Sequence, residues 1–135
     1  MLDDRGLCLD ILLGYPRPLG IEIAARTMNA QLMICDEIGD VKEAEAIVSV
    51  QNCGVPLLAT AHGSSIGGLL SRTGIKKLHE AHVFEYYVGI KRIRGEREYQ
   101  YTIDSWGEAD AYLQNSRIDT SDALLCDGSV YAQQS

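Results

Sequence analysis

LMICDEIGDVKEAEAI, Leu32 to Ile47, is the stretch that decides how this chain folds. Four residues, Leu32 to Cys35, form a continuous apolar run, the pattern of a short strand covered on both faces. Two carboxylates follow at once, Asp36 and Glu37, then Gly39 and a helix start. Asp40 with Glu43 three residues on has the form of a capping box. The helix from Val41 is expected to bury Ala44, Ile47, Val48 and Val50. It should stop near Asn52, with Gly54 just past its end. A buried strand that delivers acids into a strand-to-helix turn is an α/β element.

The flanking sequence repeats the alternation. Upstream, Ile11 to Leu13 reads as a short strand ended by Gly14-Tyr15-Pro16-Arg17-Pro18. Pro18 suits the first turn of a helix, where its missing N–H costs nothing. Ile21, Ala24, Ala25 and Met28 then mark a helical face. Downstream, Val55 to Ala61 is the next strand, with Pro56 at its start. A loop, His62-Gly63-Ser64-Ser65, leads to a short helix over Ile66 to Ser71, and Thr73 caps another through Ala81.

The period then changes to two. Phe84, Tyr86, Val88 and Ile90 alternate, a turn falls near Gly95, and Tyr99, Tyr101 and Ile103 alternate again, a β-hairpin. Past Asp104 the pattern decays. Residues 105–135 read as a polar, mobile tail with one helical turn at Ala109 to Gln114. The expected fold is therefore α/β, a parallel sheet with helical crossovers plus a C-terminal hairpin, over residues 1–104.

In such sheets ligands sit at the carboxyl ends of strands. Asp36 and Glu37 lie at one such end, and Thr60, Ala61 and His62 at the next. An apolar strand ending in Asp-Glu has the form of a Walker B element. There the first acid holds Mg²⁺ through water and the second orients or deprotonates an attacking water. Strand ends and helix starts also favour acids for reasons of turn and cap chemistry alone. His62, before a Gly-Ser-Ser loop, could contact a phosphate or simply bond to backbone. His79 and His82 are too few for a metal site. The hairpin tyrosines suit sheet packing as well as base stacking.

A phosphate cradle of the form GxxxxGK[ST] is absent from the sequence. The four lysines are Lys42, Lys76, Lys77 and Lys91, and the glycine-rich run Gly63 to Gly68 ends in Leu69-Leu70. The net charge of −7 argues against nonspecific nucleic-acid binding and against anionic membrane, although Lys91, Arg92, Arg94 and Arg97 cluster. No apolar run reaches the roughly 18–20 residues of a membrane span. The start, MLDDRG, has no signal-like character. Cys8, Cys35, Cys53 and Cys126 make no CxxC pair, so we expect a reducing, cytoplasmic setting.

The segment from LDILLGYPRP through ICDEIG and ATAHGSS to HVFEYYVGIKR, about Leu9 to Ile103, resembles the C-terminal half of the stage III sporulation protein AA family. These are P-loop ATPases related to type II and type IV secretion motors. The resemblance implies a partial RecA-like core, ATP and Mg²⁺ as cofactors, and a homo-oligomeric ring. It also implies membrane proteins of the mother cell–forespore channel as partners, with a membrane-peripheral place in the mother cell. Asp36 would be the metal-holding Walker B acid and Glu37 the catalytic carboxylate. His62 with Thr60 would form the histidine/sensor segment, and Asp4 and Arg5 would match an acidic-basic strand end.

Three departures stand out. The family's Walker A lies upstream of anything present here, the segment after Arg5 is shortened, and Asp40 stands where Arg is expected. A chain lacking the cradle should bind ATP poorly, as a truncated product or gene fragment would. Two other functions fit parts of the pattern. One is a receiver-type domain with Asp3-Asp4 as metal acids, Asp36 as phosphoacceptor, Thr60 as switch hydroxyl and Lys91 as the basic residue. The other is a nonenzymatic interaction domain that has lost its nucleotide.

Overall fold

The computed structural model describes residues 9–115 and 128–133. The first helix, α1, covers Arg17–Arg26 and opens with Pro16 at its N-cap and Pro18 in its first turn. Strand β1 is Met33–Cys35. Helix α2, Val41–Val50, carries the expected capping box, with both the Asp40 and the Glu43 side-chain bonds made. A 3₁₀ turn over Gln51–Cys53 ends it, and Gly54 takes φ +74°, the left-handed value that favours glycine. Strand β2, Leu57–Gly63, follows, then the short helix α3, Ile66–Leu70, and α4, Thr73–Glu80. The hairpin is β3, Tyr86–Arg92, and β4, Tyr99–Ser105.

The fold is α/β. β1 and β2 pair in parallel, Met33 opposite Leu57 and Cys35 opposite Ala59, with α2 as the crossover. Their inward residues Met33, Cys35, Leu57, Ala59 and Ala61 form one core with Ile21, Ala44, Ile47, Ile75 and Leu78 of the helices. The helix α2 face is close to the expected one, except that Ala46 is buried and Val48 only half so.

Three sequence expectations differ from what is found. Ile11 to Leu13 is not a strand, because no described segment pairs with it, and Ile11 and Leu13 are exposed. The β1 run is covered on one face only, since Leu32 and Ile34 stand open to solvent. Thr73 begins α4 as its first residue, with Arg72 at the cap and no side-chain cap bond.

A fourth difference lies beyond Asp104. Trp106–Asn115 is a full helix, α5, and Gly128–Gln133 is a strand, β5. The five-stranded sheet has the order β1-β2-β5-β3-β4, so β5 lies between β2 and β3 and is antiparallel to both. Periodicity misses α5 because polar contacts anchor it. Its buried apolar residue is Ala109. Trp106 donates its indole N–H to the His79 carbonyl at 2.8 Å and stacks on the rings of both His79 and His82. His79, buried, joins Tyr87 Oη through Nδ1 at 2.8 Å and Asp110 through Nε2 at 3.2 Å. The two histidines therefore have packing roles. The local signal was present: Ser105 and Glu108 cap each other reciprocally, a second capping box. Those same bonds hold the Glu108 carboxyl below the usual carboxylate range. No described helix is long and apolar enough to cross a membrane.

Two glycines separate close packing from open space. A Cβ at Gly74 would lie 2.6 Å from the Gly39 carbonyl oxygen, whereas one at Gly107 would meet nothing within 4 Å. Gly74→Ala should cost about 1–3 kcal/mol through overpacking. Gly107→Ala, inside α5, should gain roughly 0.5–1 kcal/mol. Urea unfolding of both variants checks this, and equal effects would show that α4 can shift away from residue 39.

Candidate functional site

The chain leaves β1 at Cys35 and turns sharply. Glu37 takes φ +50°, a left-handed value that costs a residue with a Cβ on the order of 1–3 kcal/mol. Contacts from the next strand hold it there. The Ile38 N–H donates to the Thr60 carbonyl at 2.8 Å and the Glu37 N–H to Thr60 Oγ1 at 2.9 Å. That same hydroxyl donates to Asp36 Oδ1 at 2.6 Å. Two residues on, His62 Nε2 meets Glu37 Oε1 at 2.8 Å. Both side chains are well exposed, 69% and 63%. Parallel pairing of β1 with β2 thus brings Asp36, Glu37, Thr60 and His62 to one rim. Asp4 and Arg5 lie outside the described residues.

Two arginines that sequence reasoning left without a role complete the site. Arg17, in the first turn of α1, donates to the Asp36 and Glu37 carbonyls. Its Nε pairs with Glu43 at 2.8 Å, and Glu43 is a buried carboxylate that also accepts from the Asp40 N–H. One guanidinium therefore joins the acid-bearing turn to the start of α2. Arg72, at the α4 cap, donates to the His62 carbonyl at 2.9 Å. Gly39 gives it room, since a Cβ there would stand 2.8 Å from the guanidinium. The only sequence hint of Arg17 was its place in the Tyr-Pro-Arg-Pro turn. Asp40 accepts from the Lys42 N–H at 3.2 Å and so caps α2.

The site can act as an oriented acid pair. Asp36 accepts from a hydroxyl on one oxygen, and a carboxylate has further lone pairs for water. Glu37 is set against an imidazole that can hold or release a proton. Behind them Cys35 is buried, and desolvation pushes its thiol up to about 11, with Arg17 pulling it back and Glu43 adding to the rise.

A profile of the family described as sporulation stage III, protein AA matches residues 2–108. The chain belongs to the stage III sporulation protein AA family. It is 33% identical over 90 residues to stage III sporulation protein AA of Bacillus subtilis (strain 168). That alignment takes in 67% of this chain and 29% of the relative, so the chain spans under a third of the protein it matches. The matched residues 2–108 contain every site residue named here, while β5 falls outside them.

The Cys35 environment has a measurable consequence. A folded-state thiol held at about 11 rather than 9 stays protonated when the unfolded thiol has ionised. Its contribution to stability is full below about pH 9 and is lost as pH rises towards 11, on the order of 2–3 kcal/mol. In alkylation at pH 8, exposed Cys53 should react while buried Cys35 waits for unfolding. Cys35→Ala should flatten the alkaline loss of stability, and an unchanged slope would mean that other groups cause it.

Proposed function

We propose that this segment supplies the acid and histidine side of a nucleotide-hydrolysing site. The observation that carries it is the pair of bonds across the strands, Thr60 to Asp36 and His62 to Glu37. They orient two adjacent carboxylates differently. Asp36, tied to a hydroxyl, is the acid to hold Mg²⁺ through water. Glu37, tied to an imidazole, is the acid to orient an attacking water and take its proton. Asp36 is a hard oxygen donor of the kind Mg²⁺ prefers, and the metal would neutralise charge on phosphate oxygens. Thr60 and His62 report the state of the acids to β2.

The phosphate side does not fit within this chain. No GxxxxGK[ST] occurs, Lys77 pairs with Glu45 at 2.6 Å, and Lys76 lies 3.7 Å from Glu80. The cradle must come from a portion of the longer family protein that this chain does not contain. In that whole protein the site would drive an ATPase ring. The ring would be cytoplasmic, at the membrane of the mother cell, and would serve the channel's membrane proteins. Alone, the chain keeps the fold as an interaction domain. The receiver arrangement has no use for the Glu37–His62 pair, and its Asp3-Asp4 lies outside the described residues.

Two measurements test the reading. A fluorescent ATP analogue with Mg²⁺ should show no saturable binding to the 135-residue chain. Where the segment is joined to the family's phosphate loop, Glu37→Gln should keep nucleotide affinity and lower kcat by about 10²–10⁴-fold. Turnover that survives this change would leave Glu37 as a turn residue only.

A further inference from the structure

β4 is the last strand of the sheet on the side away from β1. Among the described residues, one of its edges pairs with β3 and no strand pairs with the other. Such an edge offers N–H and C=O groups to any second strand, and sheets usually block it with proline, lysine, a bulge or a very short length. β4 has none of these. It reads Tyr-Gln-Tyr-Thr-Ile-Asp-Ser, Tyr99–Ser105, in unbroken register with β3. The opposite edge strand, β1, is three residues long and gives a second strand much less to pair with.

The side chains of β4 are as open as its edge. Tyr99, Tyr101 and Ile103 are 50%, 65% and 70% exposed. By register they share one face with Val88 and Ile90 of β3, while Gln100, Thr102 and Asp104 share the other with Lys91. Burial, and then the charge of Glu108, hold the Asp104 carboxyl above its usual range. None of the ion pairs among the described residues includes Asp104. Turned about a two-fold axis at Thr102, the strand is complementary to itself. Antiparallel pairing of two copies then sets Tyr99 opposite Ser105, Gln100 opposite Asp104, Tyr101 opposite Ile103, and Thr102 opposite its own counterpart. On one face, Val88 and Ile103 of one copy continue into Tyr101 and Ile90 of the other, an apolar row across the junction. On the other face, the Gln100 amide donates to Asp104 of the second copy, with Lys91 next to it in the row. Moving the axis to Tyr101 would set Glu98 opposite Asp104, like charges in register. A slip by one residue would turn the tyrosines towards polar partners.

We propose that β4 is a self-association edge, through which two copies of this chain pair antiparallel about Thr102 and join their five-stranded sheets into one. The main-chain hydrogen bonds of the new ladder supply the attraction, and the Tyr101–Ile103 and Gln100–Asp104 matches set the register. The contact is isologous, so it closes at two copies. A junction of one strand pair falls short of the roughly 1,200 Å² of a standard interface, so the dimer is weak and depends on concentration. The inference is independent of the nucleotide role. Asp36, Glu37 and His62 belong to the β1–β2 side of the sheet, which the pairing leaves open.

Sedimentation of the full chain from about 1 μM to about 1 mM, the span of weak association, should show the mass rising from 14.8 kDa towards twice that value and no further. Ile103→Lys sets a charge against Tyr101 of the second copy at both ends of the axis. It should weaken the association at least about tenfold while circular dichroism stays unchanged, because the residue is exposed in the single chain. Ile34→Lys, an equally drastic change at the other edge, should leave the association as it was. In a mixture of 13C-labelled and unlabelled chains, isotope-filtered NOEs should join the Ile103 methyls of one copy to the Tyr101 ring of the other. A chain that stays at 14.8 kDa throughout, growth past two copies, or loss of association through Ile34→Lys rather than Ile103→Lys would overturn the proposal. Should Ile103→Lys fail to fold, the filtered NOEs on the unaltered chain decide. Their presence between Ile103 and Tyr101 upholds the pairing, and intermolecular NOEs confined to other residues refute it.

Discussion

The site depends on a single hydroxyl. Thr60 Oγ1 accepts from the Glu37 N–H and donates to the Asp36 carboxylate, so one atom fixes both the backbone and the side chain of the turn after β1. Glu37 at φ +50° would relax without such support. A net hydrogen bond contributes about 0.5–1.5 kcal/mol, and the strain is about 1–3 kcal/mol, so no one bond suffices. Three or four do, and they are there: two from Thr60, one from Ile38, and the reach of Arg17 to the turn carbonyls. The parallel pairing of two short strands is what places Thr60 opposite the acids.

Charge then carries the turn's position into the helical layer. Glu43 is buried, and a buried carboxylate is tolerated only when paired and hydrogen-bonded. Arg17 and the Asp40 amide meet both needs. The start of α1, the acid turn and the start of α2 are thus joined through one guanidinium. Arg72 does the same from the other side, linking the end of β2 to α4 over a glycine that leaves it space. The acids are exposed, yet their backbone is tied to α1 directly and to α2 through the Arg17–Glu43 pair.

The chain belongs to the stage III sporulation protein AA family, and the rim of acids and imidazole lies within the residues that match it. The matched residues hold both acids, Thr60, His62 and both arginines, while the chain covers under a third of the relative. Leu32, just before β1, and Ile34 within it are exposed.

Much of the fold is legible within short windows of sequence. Alternating apolar runs and helical faces determined the α/β class, and Asp40 with Glu43 determined where α2 begins. Gly54 marked its end, and period-two tyrosines marked the hairpin. The acid pair and His62 were visible as strand-end residues. All of these are written in residues within a few positions of one another, where spacing maps directly onto a face or a cap. Tertiary structure alone decided the rest. The bonds of Thr60 to the acids, of His62 to Glu37 and of Trp106 to His79 join residues 23 to 27 positions apart. Arg17 and Arg72 acquire partners only once helices dock, and α5 is held by a tryptophan and a buried histidine that no periodicity registers. β5 enters the sheet between strands that precede it by dozens of residues, because a strand edge accepts whatever chain satisfies its amides, and sequence order places no limit on which one that is.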